Sequence, residues 1–159
     1  MNARARAHRY EVRCAWTGAA AGPTLGYAGY SREHELAFDG KPSLRASSDP
    51  AFRGDTRLYN PEELLVAALS SCHMLSYLTF CALAKLAVVA YDDSAVGVME
   101  ERGGSGNFTL VTLRPRVVVA DDRLDRARDL HREAHAACFI ARSVNFPVVC
   151  EPEILSRPA

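Results

Sequence analysis

With 159 residues and 19 Lys plus Arg balancing 19 Asp plus Glu, the chain has no net charge and is long enough to bury one substantial core. A balanced surface creates no field to gather nucleic acid or an anionic membrane, which excludes polyanion-binding classes. Five cysteines, an odd number, with no secretory leader pattern point to a reducing cytoplasm, where thiols are free, catalytic or metal-bound rather than paired into a framework. The basic start, Arg4, Arg6, Arg9 and Arg13, reads as a solvated terminus and strand face rather than a transit peptide.

Along the chain, Tyr10, Val12, Cys14 and Trp16 alternate with Arg9, Glu11 and Arg13, which predicts a half-buried strand with Cys14 pointing inward beside Trp16. A Gly- and Ala-rich loop over 17–29 precedes a second strand over 30–38, which turns at Asp39-Gly40 into a third over 43–47. The loop 48–59 leads into a long helix: Asn60 suits the cap, Pro61 the first helical position, and Glu63 completes a capping-box pattern. From Leu64 to Ala84 apolar residues fall on every side, the pattern of a helix enclosed by protein. The segment is long enough to span a bilayer, but Ser70, Ser71, His73, Ser76 and Thr79 occupy its middle and no second hydrophobic segment follows, so no membrane is expected.

Beyond it, 88–101 and 108–119 read as strands joined by the Gly-rich 103–107, with Pro115 marking an edge position or a bulge. A second helix is predicted over 122–143, with Ala127, Leu130, Ala134, Ala137, Cys138 and Ala141 on one face, and a last strand over 148–155 is broken by Pro152. The fold class is α+β in the order β-β-β-α-β-β-α-β, one domain made of a three-stranded part over 8–59, a central helix over 60–87 wrapped by sheet, and a ββαβ part over 88–155.

Two cysteines stand out because both occupy core-facing helical surface in separate halves of the chain: Cys72 midway along the first helix and Cys138 on the apolar stripe of the second. If the helices pack together, the two thiols come within disulfide range. Cys14, Cys81 and Cys150 fit the behaviour of small hydrophobes. Arg32 shares a strand face with Tyr30, His34, Leu36 and Phe38; it faces the core, where a guanidinium favours thiolate over thiol, or lies at the strand end and extends to water, or the opposite face of the strand is the buried one. A different chemistry is also open. His131, His135 and Cys138 fall at i, i+4 and i+7 and Cys72-His73 adds further donors, a nitrogen and sulfur set suited to zinc, although no Cys-x-x-Cys accompanies it and His73 alone reads as a hydrogen-bonded interior histidine.

The run Asn60-Pro61-Glu62-Glu63-Leu64-Leu65 followed by Ser71-Cys72-His73, together with Ala134 to Val144 around Cys138, resembles the OsmC/Ohr family of osmotically inducible and organic hydroperoxide resistance proteins, in an OsmC-like branch. The likeness extends over nearly the whole chain. It implies an intertwined homodimer acting as a cysteine-based peroxidase on organic hydroperoxides, with Cys72 as the peroxidatic and Cys138 as the resolving cysteine, reset by a lipoyl-type or other small dithiol, and needing no cofactor. Glu62 matches the family's catalytic glutamate, which orients an activating arginine, and Arg32 is the candidate for that arginine. Ten residues of helix place Glu62 about 15 Å from Cys72 along the axis, so the resemblance implies that it serves the other subunit's site. Leu69, Leu75 and Phe139 are expected as apolar walls that favour an alkyl hydroperoxide. The alternatives are a non-catalytic dimer binding a small ligand, or the zinc-binding protein outlined above.

Overall fold

The computed structural model describes residues 6–120 and 122–157, which form two compact units divided in the chain between Pro61 and Glu62. In the first, β1 (Arg13–Trp16), β2 (His34–Ala37) and β3 (Leu44–Ala46) make an antiparallel sheet in the order β1-β2-β3. The Asp39-Gly40 turn is where the sequence places it: Gly40 has φ +66°, and the Lys41 N–H donates to the Phe38 carbonyl at 3.2 Å. The inward orientation expected for Cys14 is overturned. Cys14 and Trp16 are exposed and Ala15 is the half-buried residue of β1. β1 is an edge strand, and Trp16 is fixed by its indole N–H donating to the Ser31 carbonyl at 2.8 Å rather than by burial. Gly18 lies against that bond; a Cβ there would stand 2.4 Å from the Trp16 indole nitrogen and 2.5 Å from the Ser31 oxygen.

The second unit is built on two helices and two mixed sheets. α1 (Pro61–Leu83) begins where Asn60-Pro61 predicts it. β4 (Val88–Asp93), β5 (Val96–Arg102), β6 (Ser105–Leu113) and β7 (Pro115–Val119) follow, then α2 (Leu124–Ala137), β8 (Val148–Cys150) and β9 (Glu153–Ser156). Each of the three strands predicted for this part is therefore two. They break at Ser94-Ala95, at Arg114 and at Glu151-Pro152, and each half joins a different sheet: β4-β7-β9 and β5-β6-β8. Pro115, lacking an N–H, opens β7 at such a break, which is how a proline enters a central strand without costing a ladder bond. β4–β7 and β5–β6 pair antiparallel, β6–β8 and β7–β9 parallel. The connection between β5 and β6 is tighter than expected, a two-residue turn in which Gly103 and Gly104 take φ +62° and +81°, a left-handed pair that matches the twist of a hairpin.

α1 buries Leu69, His73, Tyr77 and Cys81, one residue every four, while Leu75 on the opposite side is 61% exposed. By length and composition α1 would pass as a membrane span, but this stripe is packed in protein. Tyr77 and Cys81 join Val117, Val119, Ala127, Leu130, Ala134 and Ile154 in one core cluster; Leu69 joins Val111 and Leu113 in another. His73 lies on the helix between them.

α1 ends earlier than the pattern implies. Leu86 N–H donates to Cys81 O and Lys85 N–H to Ala82 O, with Lys85 left-handed at φ +52°, the arrangement of a Schellman stop carried by a lysine instead of glycine. Replacing Lys85 by Gly is expected to raise stability by about 1 kcal/mol, read as a higher urea midpoint at unchanged slope; a lower midpoint would contradict the strained cap.

Candidate functional site

Two clusters of reactive side chains meet beside α1. The first is the thiol pair. α2 stops at Ala137, and Cys138 turns extended, with φ −68° and ψ 110°, before a short 3-10 turn over Ala141–Ser143. The helix predicted through residue 143 thus divides at the cysteine. The Ala141 N–H donates to the Cys138 Sγ at 3.5 Å, so the thiol caps the turn that follows it. Cys138 is buried, Cys72 half-buried, and the two thiols lie close enough to act electrostatically on each other. Burial, and then the neighbouring Cys72, push the Cys138 thiol up to about 11, so Cys138 keeps its proton at neutral pH.

Glu62 stands in the first turn of α1 with its Oε2 buried and without a hydrogen-bond partner among the described residues. Arg32 belongs to the first unit, where its guanidinium donates to the Tyr27 and Tyr30 carbonyls and lies 3.7 Å from the Tyr30 ring centroid. Of the walls expected around the thiols, Leu69 is fully buried core under β6, while Leu75 and Phe139 are exposed. Leu69 is corrected by its place on the buried four-residue stripe, which turns it away from solvent.

The second cluster was not read from the sequence as one group. His73 Nε2 and His131 Nδ1 are 3.0 Å apart, and Cys150 Sγ lies 3.4 Å from the first and 3.8 Å from the second. The zinc set outlined from spacing is thus redistributed: Cys138 goes with Cys72, and His131 with His73 and Cys150. The signals were present singly, His73 on the Leu69–Tyr77–Cys81 stripe, His131 beside Leu130, and Cys150 alternating with Val148, but nothing local joins them. Tyr77 stacks on His131 at 3.7 Å between centroids, fixing the plane of the ring. Whichever nitrogen carries the shared proton, His73 Nδ1 and His131 Nε2 are buried without partners among the described residues, a cost of about 1–3 kcal/mol for each such group.

Burial, then the charge of His135, hold His73 down at about 4; burial, then His73, hold His131 down at about 3. Unfolded, both titrate near 6.5, so below that pH the unfolded chain takes up protons that the folded chain refuses. Their contribution is complete above about pH 6.5 and is lost as pH falls through about 4 and toward 3, with a slope of up to about 1.4 kcal/mol per pH unit for each ring. Urea midpoints are expected to decline from pH 6.5 to pH 4; a flat profile over that window would contradict buried neutral imidazoles. Burial, with Asp93 and Glu151 adding to it, pushes the Cys150 thiol up to about 12.

Comparison with known proteins places this architecture. An OsmC-like protein of unknown function from Vibrio cholerae is 34% identical, with a TM-score of 0.84 over 92% of this chain and 100% of that one. Organic hydroperoxide resistance proteins from Elizabethkingia anophelis (17% identity, 94% of this chain and 99% of that one, TM-score 0.66) and Legionella pneumophila (14%, 95% and 99%, 0.65) share the fold. No curated protein matches the chain by sequence. The family model described as OsmC-like protein matches residues 54–153, a span holding Glu62 and all the cysteines except Cys14, and the chain belongs to that family.

Proposed function

We propose that the protein is a thiol peroxidase that reduces organic hydroperoxides in the cytoplasm, working as a homodimer of single OsmC-like domains. The observation that carries this reading is the proximity of Cys138 to Cys72, close enough for the two thiols to act electrostatically on each other. It pairs a protonated, buried thiol with a half-buried sulfur, the arrangement a two-cysteine cycle needs. The Cys72 thiolate attacks one peroxide oxygen; the S–O bond forms as the O–O bond breaks, and the alkoxide leaves as an alcohol after taking a proton. Cys72 is then a sulfenic acid. Cys138 loses its proton, attacks the Cys72 sulfur, and hydroxide departs as water, leaving a disulfide. An external dithiol, such as one of lipoyl type, restores both thiols through a mixed disulfide.

Glu62 and Arg32 are assigned positioning roles in this reading, the glutamate orienting the arginine that favours the Cys72 thiolate, with Glu62 too far along α1 to reach Cys72 of its own helix. Exposed Leu75 and the 79% exposed Phe139 next to Cys138 support an apolar interface and a preference for alkyl over inorganic peroxide.

Mass-tag counting of free thiols after mixing reduced protein with cumene hydroperoxide tests the reading. Loss of two thiols per chain, mapped to a Cys72–Cys138 disulfide, is expected. Unchanged thiols would refute it and favour a dimer that binds a small ligand without turnover. Cumene hydroperoxide is expected to react at least about tenfold faster than hydrogen peroxide, equivalent to about 1.4 kcal/mol of apolar contact with the organic tail.

A further inference from the structure

The His73–His131–Cys150 cluster shares no residue with the thiol pair and has no role in the peroxide cycle proposed above. We propose that it is a metal site for zinc, with His73 Nε2, His131 Nδ1 and Cys150 Sγ as ligands and a fourth position open to the neighbouring cleft.

The geometry of the three donors carries the inference. Tetrahedral zinc with nitrogen at about 2.0 Å and sulfur at about 2.3 Å requires separations of about 3.3 Å between nitrogens and about 3.6 Å between nitrogen and sulfur. The observed triangle is 3.0, 3.4 and 3.8 Å, so each edge needs to change by only a few tenths of an ångström. The donors come from α1, α2 and β8, three elements pinned by the core, and the Tyr77 ring stacked on His131 restrains the imidazole plane. Two imidazoles and a thiolate are a borderline-soft set of the kind that catalytic zinc takes, three protein ligands with one position left open.

Charge and access agree with the geometry. Zinc with one thiolate keeps a single positive charge, and the Asp93 carboxylate is close enough to act electrostatically on both His73 and Cys150. That carboxylate is itself held by the Ser70 hydroxyl and the Arg114 N–H. A cleft of about 540 Å³ has His131 and Cys150 in its wall and Arg128, Arg132 and His135 around it, an entry path for the ion and room for water or a small anion as fourth ligand. A trio kept only for packing would be cheaper as apolar side chains, since the imidazoles leave two buried nitrogens unpaired.

The test uses the full chain, reduced and free of oxygen, titrated with Co2+ and then Zn2+. One equivalent of cobalt per chain is expected, with a thiolate-to-cobalt charge-transfer band that zinc abolishes. The band should persist in the Cys72→Ser, Cys138→Ser double variant and vanish in Cys150→Ser. X-ray absorption of the zinc-loaded wild type should give one sulfur at about 2.3 Å and two imidazole nitrogens at about 2.0 Å, a readout that needs no variant to fold. Binding well below one equivalent, a sulfur count of zero or two, or a band that survives Cys150→Ser or disappears with the Cys72/Cys138 pair, would overturn the assignment. Because the double variant lacks both peroxidatic-cycle thiols, this outcome is independent of whether peroxide is turned over.

Discussion

Replacing Cys72 by serine is expected to lower kcat/KM for cumene hydroperoxide by about 10³-fold or more, the scale of losing a covalent nucleophile. A hydroxyl at the same place stays protonated at neutral pH and cannot accept oxygen to form a sulfenic acid. Cys138→Ser should behave differently, because the first step survives: one equivalent of alcohol forms rapidly, a Cys72 sulfenic acid accumulates, and dithiol-driven turnover then falls. The asymmetry follows from the two environments, since Cys138 is the buried partner whose thiol is raised to about 11 and Cys72 is the more accessible sulfur. Stopped-flow turnover together with trapping of the sulfenic acid separates the two variants. If Cys138→Ser gave the pre-steady-state loss and Cys72→Ser the trapped intermediate, the assigned roles would be reversed. If neither variant changed the rate, the thiol pair would not be the site.

The second large effect is on stability. Leu69→Ala removes a fully buried side chain packed against Val111 and Leu113, one turn of helix before Cys72, and is expected to cost about 2–5 kcal/mol. For a chain of this size that lowers Tm by about 5–15 °C. The same truncation at Leu75, 61% exposed on the opposite side of α1, should change the stability of the isolated chain by no more than about 0.5 kcal/mol. Any larger Leu75 effect should depend on protein concentration, as an interface would require. Calorimetry of both variants at two concentrations checks this contrast. Equal and concentration-independent losses would mean that the face presented by α1 has been assigned wrongly.

The features legible in the sequence are those set by short-range physics. Asn60-Pro61 with Glu63 marks the start of α1, because capping groups and a fixed proline φ act within one turn. Asp39-Gly40 marks the hairpin between β2 and β3, because a left-handed residue is needed there whatever surrounds it. The motifs around Cys72 and Cys138 carry the family and, through it, the fold. Period-two alternation also located β1, but not which side chains are covered: Cys14 and Trp16 are exposed and Ala15 is half-buried.

Only the tertiary structure decided the rest. The three long strands break where each half changes sheets, a requirement of enclosing two cores that no single segment encodes. Nor does a local breaker explain the end of α2 at Ala137; the extended Cys138 directs its sulfur to the Ala141 N–H. His73 and His131 are 58 positions apart, and His131 and Cys150 are 19 apart. Pattern alone gave each a plausible separate place as an interior residue. They converge because the apolar faces of α1 and α2 are buried against the same strands, which fixes the rotation of each helix and turns three unrelated donors toward one point.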